Sequence, residues 1–142
     1  MITLTWGRED KSVLLYNFEA RWTIDDLIEA LDAGVKVVGK YTHRIDVMVD
    51  LTHSGWPDLL GVDVTSAFSR AMRRGEAYID ETNKEPGAVV VISQNPIIRG
   101  TLSTLMGLYQ RMGNKILLAE GCADADVQLD QLRAREAAVA QK

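Results

Sequence analysis

Cysteine is nearly absent from this chain: the single thiol, Cys122, excludes an internal disulfide. No charged leader with an apolar stretch and a small-residue cleavage site opens the sequence, so the expected compartment is the cytoplasm. Three prolines and eleven glycines leave no fibrous or low-complexity signature. Apolar runs are short. The longest, such as Ala88 to Ile92, have strand length, well below the ~20 residues a bilayer-crossing helix needs, and no membrane span is expected.

Positive charge is in deficit. Sixteen Lys and Arg against 20 Asp and Glu leave a net charge of −4, which opposes binding to a phosphate backbone; no nucleic-acid partner is expected. The one basic cluster, Arg70, Arg73 and Arg74, fits a single solvated helix face. The chain also lacks a Gly-rich phosphate loop, a Cys or His pair at metal-ligand spacing and a Gly-x-Ser-x-Gly elbow. His43 and His53 stand ten residues apart at opposite ends of one predicted strand. At about 3.3 Å per residue they are too distant to share a metal or a proton. No metal and no cofactor are expected.

What the chain does have is enough apolar material for one domain. The 142 residues, 46% of them hydrophobic, support a single core over residues 1–142. Ile2 to Trp6 alternates apolar and polar, Gly7 to Ser12 is a polar turn, and Val13 to Glu19 completes a β-hairpin. Thr23 reads as the N-cap of a helix, with Asp25 and Asp26 at its positive end and Trp22 stapled to Leu27. Ile24, Leu27, Ile28, Leu31, Val35 and Val38 form its apolar stripe, and solvation accounts for the acidic residues Asp25, Asp26, Glu29 and Asp32 better than a metal does.

Ile45 to Leu51 follows as a central strand, with Val47 and Val49 on one face and Met48 on the other. Val64, Ala67, Phe68, Ala71 and Met72 begin a second helix, which Tyr78 and Ile79 carry through Gly75. Ala88 to Ile92 is a strand. Asn95 and Pro96 then cap and start a helix whose apolar face, Ile98, Leu102, Leu105, Tyr109 and Met112 with Ile97, Met106 and Leu108 beside it, is wider than one sheet contact needs. Lys115 to Ala119 is the last strand, and Ala125, Leu129, Leu132 and Val139 mark a final, weakly amphipathic helix with a frayed tail. The order ββαβαβαβα predicts an α/β fold: a mixed, mainly parallel five-stranded sheet with an N-terminal hairpin and four helices.

The candidate site is the loop after the central strand, because α/β proteins bind at the carboxyl ends of their strands. It offers Asp50, Thr52, His53, Ser54 and Trp56. Asp, Thr and Ser also satisfy turn backbone and cap helices, so these residue types alone do not make a catalytic set. Asp50 with Pro57 and Gly61 imitates a receiver phosphoacceptor region. Thr5-Trp6-Gly7 and Ala119-Glu120-Gly121 offer neither the acidic pair nor the lysine that a receiver needs.

The order of elements, with Val49-Asp50-Leu51-Thr52 ending the central strand, resembles the STAS family of anti-sigma-factor antagonists (SpoIIAA-like). That resemblance implies a non-enzymatic regulatory module that binds a protein partner through the Thr52 to Phe68 region. Pro57-Asp58-Leu59-Leu60-Gly61 departs from the family's Asp-Ser-x-Gly, so its acceptor serine is missing, and Ser54, Thr65 and Ser66 remain as candidate phosphoacceptors. A homodimer through the wide-faced helix is a further expectation. The alternative is a carrier of a small apolar ligand or lipid held between sheet and helices, suggested by the surplus of Trp56, Phe68, Met72, Leu102, Met106 and Tyr109. An enzyme using Asp50 and His53 comes third.

Overall fold

A computed structural model describes residues 2–19, 21–54, 64–82, 87–108 and 116–140. The chain forms β1 (Ile2–Trp6), β2 (Val13–Phe18), α1 (Ile24–Gly39), β3 (Asp46–Asp50), α2 (Val64–Thr82), β4 (Val89–Ile92), α3 (Pro96–Leu108), β5 (Ile116–Ala119) and α4 (Cys122–Ala140). One sheet carries all five strands in sequence order. β1 pairs antiparallel with β2, and β2 through β5 run parallel, as the strand-helix alternation predicts.

Local chemistry sets the ends of the elements. Gly7 N–H donates to the Val13 carbonyl at 2.8 Å, Ser12 N–H to the Asp10 carboxylate at 3.0 Å, and Lys11 takes a positive φ of 57°, closing the hairpin. At α1 the Thr23 hydroxyl accepts from Asp26 N–H at 3.1 Å while the Asp26 carboxylate accepts from Thr23 N–H at 2.9 Å, a complete capping box. Asn95 caps α3 by accepting from Ile97 N–H at 2.9 Å, with Pro96 at the first helical position.

The sheet is covered on both faces. Leu14, Tyr16, Phe18, Val47, Val49 and Val91 face α1, α2 and α3; Val13, Met48, Val90 and Ile92 face α4. Strand alternation sends Asp46 to the α4 side with Met48. There it is fully buried, although the sequence reading gave Asp46 no role. Arg133 of α4 reaches it at 2.7 Å, Arg44 at 2.8 Å and Ala88 N–H at 2.8 Å. Arg133 also donates to the Ser12 carbonyl at 3.0 Å, and Arg44 pairs with Glu136. A Cβ on Gly87 would stand 2.9 Å from the Ile45 carbonyl carbon, so the approach of β4 to this carboxylate requires glycine.

Two helix expectations need correction. α4 is helical to Ala140, and Val139, read as part of its apolar face, is 71% exposed instead of packed. The helix outruns the sheet: 19 residues span about 28 Å against about 16 Å for a five-residue strand. On α1 the fully buried line is Leu27, Ala30 and Gly34, while Val35 is 41% exposed. Ala30 and Gly34 carry little hydrophobic signal, yet they let the helix approach the strands.

Candidate functional site

The loop after β3 gathers Asp50, Thr52, His53 and Ser54 at the carboxyl end of the sheet, and their polar groups are largely spent on one another. The buried Asp50 carboxylate accepts from Thr52 N–H at 2.9 Å and from the Thr52 hydroxyl at 2.6 Å. Its second oxygen accepts from the Cys122 thiol at 3.8 Å. Partial burial and the nearby Asp50 carboxylate raise the Cys122 thiol above its ordinary value, so the neutral, unreactive form is favoured. Ser54 is buried, and its hydroxyl donates to the Phe18 carbonyl at 3.1 Å. His53 is exposed, and among the described residues no hydrogen bond joins it to Asp50, Thr52 or Ser54. Ser66 is exposed in the first turn of α2. Trp56 and the Thr65 side chain lie outside the described residues, as do Tyr109 and Met112.

A larger feature lies on the α1–α2 face: a cavity of about 870 Å³ between those helices and the sheet. Its sheet wall includes Tyr16, Phe18, Val47, Val49, Val89 and Val91, and its α1 wall Leu27, Leu31, Gly34, Val35 and Val38. Leu27, Leu31, Val35 and Val38 of the apolar stripe read from the α1 sequence therefore line the cavity. Phe68, Ala71, Met72 and Tyr78 contribute from α2, and Leu102 from α3. Phe68, Met72 and Leu102 belonged to the surplus noticed in the sequence; Met106 packs in the core instead.

The polar wall residues Thr42, His43, Arg44 and Glu136 sit where the parallel strands begin, opposite the Asp50 loop, and Arg74 adds a charged group from α2. The segment carrying them is braced against the hairpin. His43 Nε2 donates to the Lys11 carbonyl at 2.9 Å, the Tyr41 ring meets Trp6 edge-on at 5.5 Å, and the Lys11 ammonium lies 5.7 Å from the Tyr41 ring centre. Arg74 of α2 pairs with Asp32 of α1, tying the two helices together beside the cavity. The cationic groups around the cavity are thus engaged by Asp32, Asp46 and Glu136.

Inside, Tyr16 is the exception to an apolar interior. The residue is 6% exposed, and its ring lies against α1 at Gly34, where a Cβ would overlap the hydroxyl and stand 2.8 Å from Cζ. Among the described residues the hydroxyl has no hydrogen-bond partner. Burial raises its pKa to about 12, so it is a neutral phenol at any physiological pH.

The sequence suggests a cavity between sheet and helices as the alternative but places its candidate residues on the Asp50 loop, because α/β proteins ordinarily bind at the carboxyl ends of their strands. The signal that could have found it is the continuation of the α1 stripe to Val35 and Val38, beyond what a short strand can cover. Among the described residues no group of three or more His, Cys, Asp or Glu is placed to hold a metal ion, and no helix is long and apolar enough to cross a membrane. Comparison with protein-family models, with curated proteins and with solved structures gave no match.

Proposed function

We propose that this chain is a non-catalytic binding module whose working part is the cavity between the sheet and α1–α2, which takes a small apolar molecule. The observation that carries this reading is the cavity itself. About 870 Å³ lies within the range of small-ligand sites, its lining is mainly apolar, and most of its polar residues gather at one end. The spent polar groups of the Asp50 loop support a role without chemistry there.

The test is uptake of the neutral fluorescent probe N-phenyl-1-naphthylamine. The native chain should bind it saturably at about one probe per chain, and Ala71→Phe, which fills the cavity from α2, should weaken binding more than about tenfold with the circular dichroism spectrum unchanged. Absence of saturable uptake, or equal uptake by Ala71→Phe, overturns the reading.

A second reading keeps the regulatory, STAS-like expectation of a protein partner or a homodimer. Its support is the order of elements together with Ile97 and Leu108, 51% and 71% exposed on α3. Sedimentation of the native chain should then show a dimer that Leu108→Glu dissolves. A monomer at every concentration counts against the homodimer.

A further inference from the structure

A cavity built only to hold hydrocarbon would have no use for a phenol. A cavity-wall hydroxyl with no protein partner adds nothing to the fold that phenylalanine would not supply. Tyr16 nevertheless stands in the sheet wall, and Gly34 makes room for its hydroxyl. The parallel ladder of β2 with β3 begins at Val13 and Asp46, and Tyr16, opposite Val49, is three residues further along. At about 3.3 Å per residue the hydroxyl-bearing position lies about 10 Å in from the edge where the polar wall residues gather.

We propose, building on the cavity reading above, that Tyr16 is the polar anchor of this site and that the ligand is a neutral, mainly apolar molecule with one hydrogen-bond acceptor, such as a ketone, ester or ether oxygen, seated about 10 Å inside. The neutral class follows from where charge is found. Thr42, His43, Arg44 and Glu136 stand at the edge, Arg74 lines the wall from α2 but is already paired with Asp32, and other lining side chains such as Phe18, Val49 and Leu27 carry no charge. A carboxylate beside Tyr16 would be desolvated with one hydrogen bond and no free counter-charge, since Arg74 is taken by Asp32, whereas a carbonyl oxygen is satisfied by the single donor. With its pKa near 12, the phenol remains that donor.

The test uses two probes of nearly one shape, 2-acetylnaphthalene and 2-ethylnaphthalene, titrated by calorimetry into the native chain and into Tyr16→Phe. The ratio of their affinities should shift about tenfold against the ketone in Tyr16→Phe, while the hydrocarbon binds at least as well as before. An unchanged ratio overturns the anchor while leaving the cavity reading intact. Failure of either probe to bind the native chain overturns both. Thermal unfolding of Tyr16→Phe supplies a second check: with no partner lost, its midpoint should not fall. A fall of several degrees would mean that the hydroxyl serves the fold, and would overturn the assignment.

Discussion

On the α4 side of the sheet, Val13, Ala88, Val90, Ile92, Ala119, Ala125 and Leu129 are without any exposed surface, and the layer is closed. On the other side three helices bring larger residues, Phe18, Trp22, Leu27, Met72 and Leu102 among them, and yet leave about 870 Å³ between α1, α2 and the strands. Apolar supply is therefore not what separates the two faces. Helices on both sides outrun the strands: α1 with 16 residues and α2 and α4 with 19 each face strands of four to six. Under α4 the overhang is tied down by ions, with Arg133 on Asp46 and Glu136 on Arg44. Across α1 and α2, Arg74 pairs with Asp32 as an outer clasp, and the space behind it is lined with apolar side chains. One face uses its buried polar groups to close the fold; the other has an unpartnered phenol looking for one.

The largest effect should come from the closed face. Asp46→Ala removes the acceptor for Arg133, Arg44 and Ala88 N–H at once, and should cost about 3–5 kcal/mol in denaturant unfolding. A loss under about 1 kcal/mol would mean that the cluster does not hold α4 and would break the contrast.

Next, Leu129→Ala and Leu31→Ala delete the same atoms on opposite faces. Leu129 is fully buried in the closed layer, and its removal should cost about 3–4 kcal/mol. Leu31 is half-buried and borders an existing void, so part of its surface has no packing neighbours to lose, and its removal should stay below about 2 kcal/mol. Equal losses would show that the cavity wall is packed as tightly as the α4 layer.

A third substitution reads the sign of a local effect. Within a helix, glycine to alanine ordinarily stabilises by about 0.5–1 kcal/mol. Gly34→Ala should instead destabilise by about 1–2 kcal/mol, because the new methyl overlaps the Tyr16 hydroxyl. Tyr16→Leu in the same chain should remove most of that conflict. A stabilised Gly34→Ala variant would mean that the ring moves aside freely, and that Tyr16 is not held in place by α1.

The contrast between faces also explains what could be read from residues alone. Element type and order came through because period-two and helical patterns are local: the Thr23 capping box, the Asn95-Pro96 start and the Val89–Ile92 strand depend on neighbours in sequence. The roles of Asp46 and Tyr16 depend on partners far along the chain. Asp46 is explained by Arg133, 87 residues away, and Tyr16 by the absence of a side chain at Gly34. The Asp50 loop was legible as polar residues at a strand end. That Thr52, Cys122 and the Phe18 carbonyl would engage its groups was not, since each is a matter of distance.

The smallest effect tests whether the Asp50 loop is as chemically quiet as its geometry implies. Burial first, and the Asp50 carboxylate next, raise the Cys122 thiol above its ordinary 9.0. The rate of iodoacetamide alkylation against pH should therefore show an apparent pKa above that value, and Asp50→Asn should lower it towards the ordinary one, because the negative charge opposing the thiolate is gone. The sign for folding follows: the folded pKa is the higher, so the contribution of the neutral thiol is fully present below about pH 9 and is lost as pH rises through the raised value. The thiol is largely exposed, so the stability change itself should be slight and the alkylation profile is the better readout. An apparent pKa below 9 would mark Cys122 as an activated thiol, and would move attention from the cavity back to the carboxyl end of the sheet.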